Sequence, residues 1–130
     1  MITGINHVGL VVNDVEEYAA FLKNMMGAEV VETVPFPAAG QTSCLVEFGD
    51  SKYELMSPLG EVEGVVGKFL AKHGQGFHHI SLWSDDFDAD VAALQEKGIK
   101  IVSFSEDRGT RYAFTHPKTS GGVLYEIAGK

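Results

Sequence analysis

Two histidines and two glutamates recur at a spacing that could place them around one metal ion. His79 follows His7 by 72 residues, Glu126 follows Glu54 by the same 72, and each histidine precedes its glutamate by 47. Unrelated core residues share such an offset only by accident. The surroundings repeat as well: His7 stands seven residues before Asp14 and His79 seven before Asp86, while Tyr53-Glu54-Leu55 is echoed by Tyr125-Glu126-Ile127. A carboxylate turned into a protein interior carries a large desolvation cost unless it is paired or bound to a cation, and two of them also repel each other. A dication relieves both penalties. Two imidazoles and two carboxylates suit one divalent ion, Co, Mn, Ni, Zn or Fe, with room left for water or substrate oxygens.

The elements needed to position these residues are legible on either side of them. Residues 5–12, Ile-Asn-His-Val-Gly-Leu-Val-Val, are rich in β-formers, and Asn13-Asp14 then offers a helix cap. Alternation along that strand lets Val8, Leu10 and Val12 face a helix while His7 and Gly9 look the other way. The helix follows over residues 15–26, with Val15, Tyr18, Ala19, Leu22 and Met25 on a buried stripe, Met25 and Met26 as core filling, and Gly27 as the stop. Strands are expected over 28–34, 42–48 and 52–56, separated by the Pro35–Gly40 loop and the Gly49-Asp50 turn. A connecting helix over 61–73 has the apolar spacing Val62, Val65, Val66, Phe69, Leu70.

The second half repeats the order of strand, acidic cap, helix and glycine: residues 77–83, Asp85-Asp86, the stripe Phe87, Val91, Leu94, and Gly98. Three more strands are expected over 99–104, 111–115 and 122–127, with a loop over 105–111 and a turn over 118–122. In the sequence His78-His79, Ile80 and Leu82 pack on the helix, which turns His79 and Ser81 toward the site and His78 away. The fold class is therefore α+β: two tandem βαβββ modules forming one curved eight-stranded mixed sheet around the metal site. One domain spans residues 1–130, with repeat 1 over about 4–58, a linker helix over about 61–74 and repeat 2 over about 76–128.

Composition narrows the function classes. Eighteen acidic residues against ten basic ones give a net charge of −8 with no basic run, which is not the footprint of a nucleic-acid binder. No apolar run is long enough for a membrane span, and the first residues lack the pattern of a secretory signal, so a cytoplasmic location is expected. The single cysteine, Cys44, cannot close an internal disulfide and reads as a small buried hydrophobe.

Taken together, Ile5-Asn6-His7-Val8-Gly9-Leu10, Tyr53-Glu54-Leu55-Met56-Ser57-Pro58-Leu59-Gly60, Gly76-Phe77-His78-His79-Ile80 and the stretch from Phe114 through His116-Pro117-Lys118 to Leu124-Tyr125-Glu126 resemble the vicinal oxygen chelate superfamily. Glyoxalases, methylmalonyl-CoA epimerases, extradiol dioxygenases and fosfomycin-resistance proteins belong to that superfamily, and the epimerase branch matches best. The resemblance implies a homodimeric isomerase whose ion chelates two oxygens of a small substrate such as an acyl-CoA. It further implies that Glu126 removes the proton beside the thioester. Epimerisation asks for a base on each side of the planar intermediate, and where the branch carries a second glutamate this chain has Ser43. Glu47 shares that strand face but lies roughly 13 Å further along.

Arg108, Arg111 and Lys118 are read as surface charges able to meet a carboxylate or phosphate, and His73 and His116 as helix-end or loop residues. The competing enzyme reading is a glyoxalase-like lyase acting on hemithioacetals. A dioxygenase site of two histidines and one carboxylate does not need Glu54, and a non-catalytic binding protein does not need all four ligands.

Overall fold

In a computed structural model that describes residues 1–61 and 63–130, eight strands and three helices follow the expected order. They are β1 (Ile2–Val11), α1 (Val15–Met26), β2 (Glu29–Phe36), β3 (Gln41–Phe48), β4 (Ser51–Pro58), α2 (Val65–His73), β5 (Gly76–Ser84), α3 (Phe87–Glu96), β6 (Ile101–Asp107), β7 (Thr110–Thr115) and β8 (Tyr125–Gly129). Hydrogen bonding joins the strands into one mixed sheet in the order β2-β3-β4-β1-β5-β8-β7-β6. The chain forms two compact units, Val8–His78 and Met1–His7 with His79–Lys130.

Within Val8–His78, β1 runs parallel to β4, and β4, β3 and β2 follow as an antiparallel series. The Asp14 carboxylate accepts the Glu16 and Glu17 amide protons and so caps α1, and Gly27 ends the helix in the left-handed region at φ 72°. Val15, Ala19 and Leu22 of α1 pack with Leu10, Val12, Ala28, Cys44, Val46 and Leu55, flanked by Tyr18, Phe48 and Tyr53. Burying each large aliphatic side chain there stabilises the fold by about 1.5–3 kcal/mol. The opposite face of β1 and β4 carries a second, smaller cluster of Val11, Met56 and Val66 beneath α2, with Phe69 and Leu70 beside it. Cys44 is 1% exposed and lies in the larger cluster, as read from the sequence.

Within the other unit, β5 runs parallel to β8, and β7 and β6 follow antiparallel. Asp86 caps α3 by accepting the Ala89 amide proton. Phe87, Val91, Ala113 and Ile127 form the core, with Leu82, Leu94 and Ile101 packed against it. The duplication is visible in the register itself. Gly9 pairs with Glu54 and Ser81 with Glu126, Leu10 with Leu55 and Leu82 with Ile127, each partner displaced by the same 72 residues.

Four expectations are corrected. Met25 and Met26 are not core filling but 70% and 63% exposed. The chain reverses at Gly27, where the Gly27 and Ala28 amides bond back to Lys23 and Leu22, and Ala28 takes the buried place below the last turn. The connecting helix starts at Val65 rather than residue 61; Gly64 precedes it, where a Cβ would stand 2.2 Å from the Ala39 carbonyl oxygen. Val62, read as part of its stripe, lies outside the described residues. Residues 105–111 are not a loop: Ser105 pairs with Tyr112 and Asp107 with Thr110, closed by Arg108 and Gly109 at φ 49° and 84°. Two left-handed residues suit a tight hairpin turn. Finally, β8 starts at Tyr125 rather than residue 122, because Pro117–Thr119 forms a 3-10 turn and Gly121 and Gly122 are left-handed.

Candidate metal centre

His7, His79 and Glu126 are brought together in one unit. His7 is in β1, His79 in β5 and Glu126 in β8, and they are 9%, 4% and 7% exposed. The Nε2 atoms of the two histidines stand 3.1 Å apart with their rings nearly perpendicular at 83°. Glu126 Oε1 is 3.6 Å from His7 Nε2. Two nitrogens sharing an ion through bonds of about 2.0–2.1 Å, at angles between square and tetrahedral, stand roughly 2.9–3.4 Å apart. The histidine pair meets that requirement, so the two imidazoles fit a divalent ion in chemistry and in spacing, with the Glu126 carboxylate beside them.

Local structure fixes each donor. His79 is held edge-on against Phe114, with ring centroids 5.4 Å apart at 88°. Leu82, three residues on, packs in the core of this unit, so alternation turns His79 and Ser81 to the other face. Glu126 is placed by the start of β8, where Thr115 Oγ1 accepts the Tyr125 amide proton at 3.2 Å and lies 2.8 Å from Ser120 Oγ. Ile127 then anchors the following residue in the core. Phe114 and Thr115 read from the sequence as strand residues without a part in the site; the signal for one is their place just before His116-Pro117.

Glu54 belongs to the unit Val8–His78. It is half-buried on β4, in register with Gly9, while its neighbours Tyr53 and Leu55 turn into the apolar core below α1. His78, in the same unit, sits against Phe69 with ring centroids 5.2 Å apart. Burial pushes the His78 imidazole below its usual range, and the negative charge of Glu54 opposes part of that shift. Ser43 is buried on β3, in register with Met56, and its Oγ accepts a hydrogen bond from Gln41 Nε2 at 3.1 Å.

The remaining candidates stand as follows. Arg111 donates to both Asp88 carboxylate oxygens at 2.8 and 3.1 Å and to the Lys130 carbonyl at 2.8 Å, and its guanidinium lies 4.6 Å from the centre of the Phe87 ring. Arg108 pairs with Asp107 at 3.2 Å. Lys118 is exposed, His73 is the last residue of α2, and His116 Nδ1 caps the turn at Pro117–Thr119 by accepting the Lys118 amide proton.

Comparison with known proteins identifies the family. A family profile described as the Glyoxalase/Bleomycin resistance protein/Dioxygenase superfamily matches residues 6–114. The chain is 41% identical to the mitochondrial methylmalonyl-CoA epimerase of Homo sapiens over 128 residues, covering 95% of this chain and 72% of that one. It is 36% identical to the ethylmalonyl-CoA/methylmalonyl-CoA epimerase of Cereibacter sphaeroides, covering 98% of each. The structure of a glutamate-to-glutamine variant of the Streptomyces coelicolor methylmalonyl-CoA epimerase in complex with 2-nitronate-propionyl-CoA superposes with a TM-score of 0.90 at 32% identity, over 100% of this chain and 99% of that one. The chain belongs to the glyoxalase/bleomycin resistance protein/dioxygenase superfamily, within its epimerase branch, and is an isomerase.

Proposed function

We propose that this isomerase is a divalent-metal-dependent epimerase of acyl-CoA thioesters of the methylmalonyl-CoA type, with His7, Glu54, His79 and Glu126 as the ligands and Glu126 as the principal base. The observation that carries the proposal is the buried trio of donors, two imidazole nitrogens 3.1 Å apart with a carboxylate oxygen 3.6 Å from one of them. The constant 72-residue offset, which holds in the strand register, supports Glu54 as the fourth member. When bound, a divalent ion supplies Lewis-acid stabilisation to substrate oxygens that gain negative charge as the α-proton leaves.

The protein's own part is proton handling. A carboxylate at Glu126 accepts the α-proton on one oxygen and returns it, and its burial excludes competing water. Ser43 offers a hydroxyl where a second carboxylate would serve the other face, and a serine without an adjacent base is a poor proton acceptor near neutral pH. One face of the planar intermediate is therefore served better than the other.

The test is hydrogen–deuterium exchange at the α-carbon of a panel of acyl-CoA thioesters and hemithioacetals, with metal-stripped protein before and after addition of Co or Mn. The expected result is metal-restored exchange on a methylmalonyl-type thioester, faster than inversion for one enantiomer. Exchange at full rate without metal would sink the metal dependence. Turnover of hemithioacetals alone would replace the epimerase by the lyase, and equal rates of exchange and inversion would show a second base that is not Ser43.

A further inference from the structure

Glu54 and Glu126 hold matching places in the two repeats, but the residues beside them differ. Glu54 is in register with Gly9, which has no side chain, and Glu126 with Ser81. Ser81 is 0% exposed, and among the described residues its Oγ has no hydrogen-bond partner. Buried hydroxyls in folded proteins ordinarily do have one. The direction of this hydroxyl is set by the strand. Leu82 turns into the cluster of Phe87, Val91, Ala113 and Ile127, so Ser81 points to the opposite face, the one that carries His79 on β5 and Glu126 on β8. Paired strands lie about 4.8 Å apart, a gap that a serine oxygen and a glutamate carboxylate at paired positions bridge by side-chain rotation.

Resting on the metal reading above, we infer that Ser81 is a positioning residue that donates a hydrogen bond to the Glu126 carboxylate in the metal-loaded enzyme. One lone pair of the carboxylate is thereby occupied, which fixes the plane of the group and leaves the remaining lone pairs for the ion and for the substrate proton. Outer contacts of this kind orient metal ligands and tune their basicity. The Ser81 proton stays on Oγ throughout. At the matching place in the other repeat Gly9 offers no hydroxyl, so this contact distinguishes the glutamate that moves protons from the one that only ligates.

Metal-stripped wild type, Ser81→Ala, Ser81→Cys, Glu126→Gln and the double variant Ser81→Ala/Glu126→Gln are titrated with Co and followed by its visible absorption, and thermal unfolding of each metal-free protein is measured alongside. Ser81→Ala is expected to lose about tenfold in Co affinity, with no fall in the metal-free melting temperature, because the hydroxyl it removes has no partner there. Ser81→Cys falls between, since a thiol is a weaker donor. In the Glu126→Gln background the alanine substitution should shift Co affinity far less, because the acceptor is altered. Wild-type Co affinity in Ser81→Ala, an equal loss in both backgrounds, or a loss that follows a lowered metal-free melting temperature would each overturn the role of Ser81 while leaving the metal reading intact. A wild-type protein that takes up no Co overturns both.

Discussion

The two repeats share a register and divide the work unequally. Among the described residues of Val8–His78, nine buried ones form one apolar cluster with α1, and a further three form a second with α2. In the unit containing His79–Lys130 the core cluster, among the described residues, is Phe87, Val91, Ala113 and Ile127. Buried polar groups run the other way: His79, Ser81, Ser84, Thr110, Thr115 and Glu126 in the second repeat against His7, Ser43 and Ser57 in the first. Burying a polar group costs stability unless it is partnered, whereas burying an aliphatic one adds to it. One copy of the duplicated unit is thus weighted toward packing, the other toward chemistry, although both are built on the same cap, helix and parallel strand pair.

The largest expected effect falls on the chemical copy. Glu126→Gln keeps the shape of the side chain but removes the proton acceptor. The α-proton exchange rate should fall by about 10²–10⁴-fold, the usual contribution of a positioned base. A Glu126→Gln protein that exchanges at the wild-type rate would break the assignment. Next comes the packing copy. Leu55→Ala, at a residue 0% exposed in the larger cluster, should cost about 2–5 kcal/mol by denaturant unfolding. Ile127→Ala in the smaller cluster should sit toward the low end of the same range, since fewer buried neighbours surround the cavity. Equal losses would show that the two cores contribute alike and that the apolar imbalance is only apparent.

Much of this division was legible in the sequence because both repeats carry strong local signals. The acidic caps Asp14 and Asp86, the apolar stripes beneath them and the Tyr-Glu-apolar strands all follow from residue type and period, and they sufficed to bring His7, His79 and Glu126 together. What the sequence hid depends on where the chain turns. The stripe of α1 continues on paper through Met25, but the reversal at Gly27 gives that buried place to Ala28. The hairpin at Arg108-Gly109 was obscure because the end of β6, Ser105-Glu106-Asp107, is exposed and has no apolar face to alternate with a polar one. Ser81 could be put on the correct face by alternation, yet only the register with Glu126 gives it a use.

The smallest effect concerns how the chemical copy holds α3 to its strands. Asp88, in the first turn of α3, is exposed and takes two hydrogen bonds from Arg111 of β7. The guanidinium holds the Asp88 carboxyl below the usual range, and Asp88 in turn raises Arg111. Because the folded value of Asp88 is depressed, the unfolded chain binds its proton first as the pH falls. The pair's contribution is therefore complete above the ordinary aspartate pKa of about 3.9 and is lost as the pH drops through the lower folded value. Asp88→Asn should lower the melting temperature slightly at pH 7, and the gap from wild type should close toward the acid end of that window. Raising the salt concentration to about 1 M, where the screening length is about 3 Å, should narrow the gap at neutral pH. Arg111→Ala should cost more than Asp88→Asn, since it also removes the contact over Phe87 and the bond to the Lys130 carbonyl. If the two substitutions cost the same at every pH and salt concentration, the contribution lies in neither the charge nor the packing of the guanidinium, and α3 is held by its apolar face alone.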